Sequence, residues 1–93
     1  MRILYLGDIM GRVGRGVIKE LLPGIKADNQ IDFVVAQGEN MSGGKGMRVK
    51  DVRDLQAAGV DFFTGGNWTW HQDEIFPLLE DPKEPVIGPA NYP

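Results

Sequence analysis

One pattern repeats four times along these 93 residues: a short apolar run followed by a turn that carries a carboxylate or a carboxamide. The apolar runs cover residues 3–6, 33–36, 60–64 and 86–87. Short apolar runs bounded by glycine, asparagine or aspartate are typical of buried strands. The chain is therefore expected to form four short strands, each ending in a polar turn.

Three segments with helical spacing separate these strands. Apolar residues recur at three- and four-residue intervals over 17–25 and 49–58, and a third helix is predicted over 73–79. Pro23 and Gly24 are expected to end or distort the first helix, with residues 27–30 as a loop. Gly59 is predicted to cap the second helix, and Pro77 to lie in the first turn of the third. This alternation predicts an α/β fold of repeated βαβ units with a parallel sheet and right-handed crossovers, in a single domain over 1–93.

Charge and composition exclude several classes of function. Ten Lys and Arg against 13 Asp and Glu give a net charge of −3, so no stable nucleic-acid binding is expected. No apolar run approaches the roughly 20 residues of a membrane span, and the N-terminus does not resemble a signal peptide. The absence of cysteine excludes disulfides and thiolate chemistry and agrees with a cytoplasmic location. A single histidine, His71, excludes a multi-histidine metal centre made by this chain alone.

Oxygen-bearing side chains follow all four predicted strands: Asp8, Glu39 with Asn40, Asn67, and Asn91. In an open parallel sheet, ligands bind at the carboxyl ends of the strands, where the loops converge while helices cover both faces. A glycine directly precedes three of these side chains, at Gly7, Gly38 and Gly66, and is expected to allow positive φ or close backbone approach. The pattern favours an oxygen-rich site for a divalent cation or a phosphate.

An alternative applies to each of these residues taken singly. Asp and Asn are common at turns and helix N-caps, where their side chains accept hydrogen bonds from free backbone N–H groups. Glu39 fits this alternative poorly because glutamate is a weak N-cap. The agreement of all four strand ends favours a site.

Two glycine-rich stretches invite comparison with nucleotide-binding motifs, and both fail. After the glycines of residues 11–16, Lys19 stands where a dinucleotide fingerprint needs glycine or alanine. Residues 43–46 lack the first glycine and the Ser/Thr of a P-loop. Arg12, Arg15 and Lys45 could still hold a phosphate in these turns. Solvated cations are the simpler interpretation of each one.

The segment 67–71 places two tryptophans and the lone histidine directly after the third strand. Trp68 and Trp70 could line a pocket, stack on a base or cover an apolar edge. His71 is a weak catalytic candidate, since a lone histidine is more often a surface residue.

The sequence resembles a known family at residues 1–9, 20–23, 38–46, 58–61, 66–67 and 89–93. These stretches are similar to YmdB-like metallophosphoesterases of the calcineurin type, which hydrolyse cyclic nucleotide phosphodiesters. The resemblance implies the N-terminal part of an αββα sandwich and a small phosphodiester substrate, a 2′,3′-cyclic nucleotide. It implies two divalent metal ions, iron or manganese, with Mg²⁺ as a further candidate, and leaves a homo-oligomer open. By position, Asp8 and Asn40 would bind the first metal, Glu39 would lie between the two, and Asn67 would bind the second.

Two departures from the family pattern bear on activity. The family reads Gly-Asn-His-Thr-Trp after the third strand, with the histidine as proton donor, whereas this chain has Trp68 at that position. The remaining metal ligands of the family are histidines in a downstream part, so the chain is expected to be truncated. Both departures imply a weak or inactive isolated chain, with no catalytic residue assigned. Oxygen ligands alone would favour Mg²⁺ or Mn²⁺ over iron.

Two other interpretations stay open. The chain could be a non-catalytic α/β module in which a pocket at Trp68 holds a nucleotide or a protein. It could also be half of a (βα)₈ barrel, or a doubly wound nucleotide-binding domain, with different chemistry at the strand ends.

Overall fold

A computed structural model describes residues 1–91 and has the expected alternation of strands and helices. The elements are β1 (Ile3–Leu6), α1 (Gly11–Asn29), β2 (Phe33–Gln37), α2 (Val49–Ala58), β3 (Phe62–Thr64), a 3-10 turn (Asp73–Ile75) that runs into α3 (Phe76–Glu80), and β4 (Val86–Ile87). The predicted α/β class is confirmed. Tyr92 and Pro93, which end the last stretch of the family resemblance, lie outside the described residues.

The four strands form one parallel sheet in the order β1-β2-β3-β4. Each strand pairs with the next one in sequence, as when Ile3 lies opposite Phe33 and Thr64 lies opposite Ile87. Because right-handed crossovers that always step in the same direction put their helices on the same side, the helices share one face of the sheet. The order does not reverse within residues 1–91, so this part of the chain is not doubly wound.

The core lies between this sheet face and the helices. Val34, Ala36 and Phe63 are fully buried on the sheet, and they belong to one cluster with Leu22 of α1 and Leu55 of α2. The burial of these apolar side chains is the main contribution to holding the helices on the sheet. The described residues therefore form one α layer on one β layer.

The opposite face of the sheet is bare. Ile3, Tyr5 and Ile87 project there and are 61%, 57% and 51% exposed. Within residues 1–91 the expectation that helices cover both faces is wrong, because consecutive same-handed crossovers place the described helices on one face.

Helix α1 differs most from its prediction. It begins at Gly11, inside the stretch expected to be a turn, and continues through Pro23 and Gly24 to Asn29. Pro23 and Gly24 are exposed, while the neighbouring Leu22 is 1% exposed and anchors the helix in the core. Tertiary packing thus outweighs the local cost of proline and glycine. The helix ends where Gln30 adopts a left-handed conformation and donates its N–H to the carbonyl of Lys26.

The other helices agree with the sequence. Gly59 ends α2 with φ of 120°, and Pro77 lies in the first turn of α3. Val60, expected to be part of the third strand, belongs to the helix cap: its N–H bonds the carbonyl of Leu55, and its side chain is buried. None of the helices among residues 1–91 is both long and apolar enough to cross a membrane.

Candidate functional site

The loops after β1 and β2 bring Asp8 and Asn40 together. The Asn40 Nδ2 atom donates to both Asp8 carboxylate oxygens, at 2.8 Å to Oδ1 and 3.0 Å to Oδ2. Two backbone hydrogen bonds hold the loops in place, from Ile9 N to the carbonyl of Gln37 and from Gly11 N to the carbonyl of Asn40. Adjacent parallel strands thus deliver a carboxylate and a carboxamide to one point, as the sequence predicts.

Glu39 is held by groups from two strand ends. Its Oε1 atom accepts from Gln37 Nε2 at 2.9 Å, and its Oε2 atom accepts from the backbone N–H of Trp68 at 3.2 Å. The Gln37 Oε1 atom in turn accepts from the backbone N–H of Glu39 at 3.2 Å. The carboxylate therefore points from β2 across to the loop after β3.

Gly66 makes room for this carboxylate. A Cβ atom added at Gly66 would fall on the Glu39 carboxyl group, so any larger residue would compete with it for the same space. The backbone behind Gly66 is fixed by Thr69, which is fully buried and donates its hydroxyl to the Gly66 carbonyl at 2.6 Å. The expected close approach is confirmed here.

The expectation of positive φ at the strand-end glycines is wrong. Within residues 1–91, the glycines with positive φ are Gly11, Gly43, Gly44, Gly46 and Gly59, none of which ends a strand. Three of them shape the turn at 43–46. Two of the strand-end glycines serve packing, Gly66 against Glu39 and Gly38, where a Cβ atom would lie 2.9 Å from the sulfur of Met47. A Cβ atom at Gly7 would meet nothing within 4 Å.

Asn67 and Asn91 take less part in the strand-end contacts than Asp8, Asn40 and Glu39 do. Both side chains are exposed, and Asn67 makes no hydrogen bond to any residue within 1–91. Asn67 is nevertheless next to Gly66 and Trp68, which both contact Glu39. The structure thus joins Asp8 to Asn40 directly, turns Glu39 toward the loop after β3, and leaves Asn67 exposed beside that loop contact.

The N-cap alternative is wrong for Asp8, Asn40 and Asn67. The residues at the N-caps of α1 and α2 are Met10 and Arg48, and neither makes a side-chain capping bond. Asp8 accepts from a side-chain amide instead of capping a helix. These polar residues are therefore not explained by helix termination.

The ring of Trp68 has Lys45 and His71 as neighbours, while its backbone N–H contacts Glu39. Its side chain is 37% exposed, Lys45 Nζ is 4.8 Å from the centre of the ring system, and the His71 ring meets it edge-on with centroids 5.7 Å apart. A Cβ atom at Gly88 would lie 2.9 Å from the Trp70 ring, so Trp70 covers the end of β4. The two tryptophans thus have different surroundings: the backbone of Trp68 contacts Glu39, and the ring of Trp70 lies against Gly88.

Gln37 and Thr69 are site residues that sequence reasoning did not single out. Gln37 orients Glu39, and Thr69 fixes Gly66. A signal for Gln37 was present, since a polar residue ends an otherwise apolar strand two positions before Glu39. Thr69 carried no such signal, because its burial depends on the turn between Gly66 and Thr69.

The donor set fits a hard divalent cation. Two carboxylates and two carboxamides supply only oxygen ligands, which Mg²⁺ and Mn²⁺ prefer. Asn40 directs its Nδ2 atom at Asp8, so the amide balances the charge of that carboxylate, and turning the amide over would present its oxygen instead. No group of three or more His, Cys, Asp or Glu residues within 1–91 is placed to hold a metal. By their chemistry, these oxygen donors fit part of a metal shell and do not complete one within residues 1–91.

The fold and the strand ends define an α/β protein with oxygen-bearing side chains at the carboxyl edge of a parallel sheet. Residues 4–93 match the family described as YmdB-like protein, and the chain belongs to that family. It is 40% identical over 93 residues to the 2′,3′-cyclic-nucleotide 2′-phosphodiesterase of Bacillus subtilis, covering 100% of the chain and 35% of that protein.

Two crystal structures share the fold. A hypothetical protein from Thermus thermophilus is 42% identical, with a TM-score of 0.91 over 100% of this chain and 35% of its own. A novel phosphatase from Mycoplasma pneumoniae is 35% identical, with a TM-score of 0.88 over 98% of this chain and 32% of its own. The chain thus spans about a third of the length of the proteins that it matches.

Proposed function

We propose that the chain supplies oxygen ligands to the divalent-metal site of a phosphodiesterase that hydrolyses 2′,3′-cyclic nucleotides. The observation that carries this proposal is the convergence of Asp8, Asn40 and Glu39 on one edge of the sheet, with Gly66 leaving space for the Glu39 carboxylate. The name of the Bacillus subtilis relative supports the substrate class. The same proposal includes a small phosphodiester as the substrate and a cytoplasmic location for the protein.

In this proposal, Asp8 and Asn40 hold a first ion, Asn67 holds a second, and Glu39 lies between them. The ions are manganese or iron, with Mg²⁺ as a further candidate. When bound, a pair of divalent ions stabilises charge on the phosphoryl oxygens and lowers the pKa of a water molecule. The chain positions the ligands: Gln37 and the Trp68 N–H fix the direction of the Glu39 carboxylate.

Replacing Asp8 by alanine should weaken binding of Mn²⁺ by about 100-fold or more, since loss of even an outer-shell partner typically costs 10- to 100-fold. Titration calorimetry with MnCl₂ measures this effect. Asp28→Ala is the matched control, because Asp28 is an exposed aspartate on α1, remote in the chain from the strand ends. Equal affinity of the two variants, or no Mn²⁺ binding by the unaltered chain at millimolar concentration, would contradict the proposed metal site.

In a protein that also carries the downstream histidines expected of the family, replacing Trp68 by histidine should increase Mn²⁺-dependent hydrolysis of 2′,3′-cyclic AMP by about 100-fold or more. A positioned general acid contributes about 10²–10⁴-fold, and indole has no proton to give at neutral pH. The hydrogen bond from residue 68 to Glu39 is made by the backbone, so the substitution retains it.

Trp68→Phe separates the proton donor from the removal of the indole. This variant should not gain activity. If Trp68→His stays inactive in that longer protein while Mn²⁺ is bound, the non-catalytic module becomes the better explanation. The exposed ring of Trp68, with Lys45 and His71 as neighbours, is the observation that favours that second candidate, as a surface on which a base stacks.

A further inference from the structure

A basic cavity lies behind the loop that carries Glu39 and Asn40. Its volume is about 320 Å³, at the lower end of the roughly 300–1,000 Å³ typical of ligand pockets. It is lined by Arg12, Arg15, Ser42, Gly43, Arg48, Lys50 and Asp51. We propose that this cavity is a second site, separate from the proposed metal site, and that it binds a phosphate-bearing anion.

The charge at this place is opposite to that of the whole chain. The cavity and an adjoining depression that also includes Lys19 and Asp54 contain five of the ten Lys and Arg residues but only two carboxylates, a net charge of 5 − 2 = +3. The chain as a whole carries −3. Such a local concentration of positive charge in a concave surface attracts anions.

Part of this charge is neutralised inside the protein. Asp51 is 8% exposed and accepts from Arg15 Nε at 3.3 Å and from the Ser42 hydroxyl at 2.6 Å. Arg15 also donates to the backbone carbonyl of Met41. Arg15 is therefore a structural cation, and it fixes one wall of the cavity.

The other cations of the cavity lack such partners. The ion pairs within residues 1–91 do not include Arg12, Arg48 or Lys50. Three unneutralised cations that line one concavity repel one another unless an anion lies between them. Arg12 and Lys50 also lie in the first turns of α1 and α2, where the helix dipoles add positive potential.

The chemistry favours phosphate over a carboxylate or an apolar ligand. Two guanidinium groups, Arg12 and Arg48, present planar forks that match the oxygens of a phosphate, and a phosphate dianion balances several cations at once. The lining contains no aromatic residue on which a base could stack. The cavity therefore recognises the phosphate group itself, whether free or attached to a larger molecule.

This site is distinct from the proposed metal site but shares a loop with it. None of Asp8, Glu39, Asn40 or Asn67 lines the cavity. The loop connects the two places, since Asn40 contacts Asp8 on one side while Met41, the next residue, contacts Arg15 on the other. The proposal does not depend on the phosphodiesterase function.

Titration calorimetry of the chain with inorganic phosphate in EDTA tests the proposal without any metal. We expect binding in EDTA, and a loss of affinity of about tenfold or more in each of Arg12→Ala and Arg48→Ala, because a hydrogen bond to a charged group is removed. Lys83→Ala is the matched control, an exposed cation outside the cavity, and should bind phosphate as the unaltered chain does. Circular dichroism checks that each variant is folded.

The outcomes separate the two sites. Binding that survives Asp8→Ala but is lost in Arg12→Ala supports the second site, even if no phosphodiesterase activity is ever found. Binding that requires Mn²⁺ and is lost in Asp8→Ala overturns it, as does the absence of binding at millimolar phosphate. Adenosine 5′-monophosphate serves as a second probe: tighter binding than inorganic phosphate identifies a phosphate carried on a nucleoside, and equal binding identifies free phosphate.

Discussion

Replacing Gly66 by alanine should weaken Mn²⁺ binding by about tenfold or more while leaving the chain folded. The added methyl group would occupy the position of the Glu39 carboxyl group, so that side chain must move away from the strand-end site. The moving group is the far end of a flexible side chain, and its displacement lets the backbone stay in place. We expect the free energy of unfolding to fall by no more than about 1–2 kcal/mol, at the low end of overpacking costs.

This experiment distinguishes a defect of the site from a defect of the fold. Calorimetry with MnCl₂ measures the first, and urea unfolding followed by circular dichroism measures the second. Gly24→Ala is the control, because nothing lies within 4 Å of its added methyl group and it is exposed in α1. It should leave Mn²⁺ binding unchanged and stabilise the chain by about 0.5–1 kcal/mol. Unaltered Mn²⁺ affinity in Gly66→Ala would show that Glu39 is not a ligand.

The second large effect is expected from Asp51. Replacing this residue by alanine should lower the free energy of unfolding by about 3 kcal/mol or more, since removing one member of a buried ion pair leaves the other charge uncompensated. The side chains of Asp51 and Arg15 are only 11% and 17% exposed. The Ser42 hydroxyl would lose its carboxylate partner at the same time.

Asp54 provides a close comparison for Asp51. It lies one turn further along α2 and pairs with Lys19 at 3.5 Å, but the two side chains are 37% and 47% exposed. Asp54→Ala should therefore cost no more than about 1 kcal/mol, as is usual for exposed ion pairs. Thermal or urea unfolding measures both variants. Equal losses would mean that burial does not set the strength of the Arg15 pair.

The fold could be predicted from the sequence wherever local pattern and tertiary packing agree. The strands, the parallel pairing and the cap at Gly59 follow directly from apolar runs and a glycine position. The ends of helix α1 could not be predicted correctly. Pro23 and Gly24 predict that the helix ends there, but the packing of the buried Leu22 keeps it helical. Which sheet face is covered depends on strand order, and no local pattern in the sequence specifies that order.

The candidate site was predicted in part. Asp8, Glu39 and Asn40 are marked by their position after strands, and the structure pairs Asp8 with Asn40 and directs Glu39 to the loop after β3. The groups that orient them were missed, since Gln37 and Thr69 act through contacts that exist only after folding. The sequence raised Arg12 and Arg15 as cations that could hold a phosphate, but not their grouping with Arg48. Arg12 and Arg48 are 36 positions apart in the sequence and line one cavity only through the packing of α1 beside α2.

The strand order described above also affects how the chain is made. Among the four strands of residues 1–91, each hydrogen-bonds only to strands adjacent to it in sequence, so none of these four has to insert between two earlier ones. A nascent chain leaving the ribosome could thus add each strand and helix to an edge that already exists, in the order of synthesis. Until β4 is added, β3 is the growing edge, and its open hydrogen-bonding groups are the place where pairing with another nascent chain would begin.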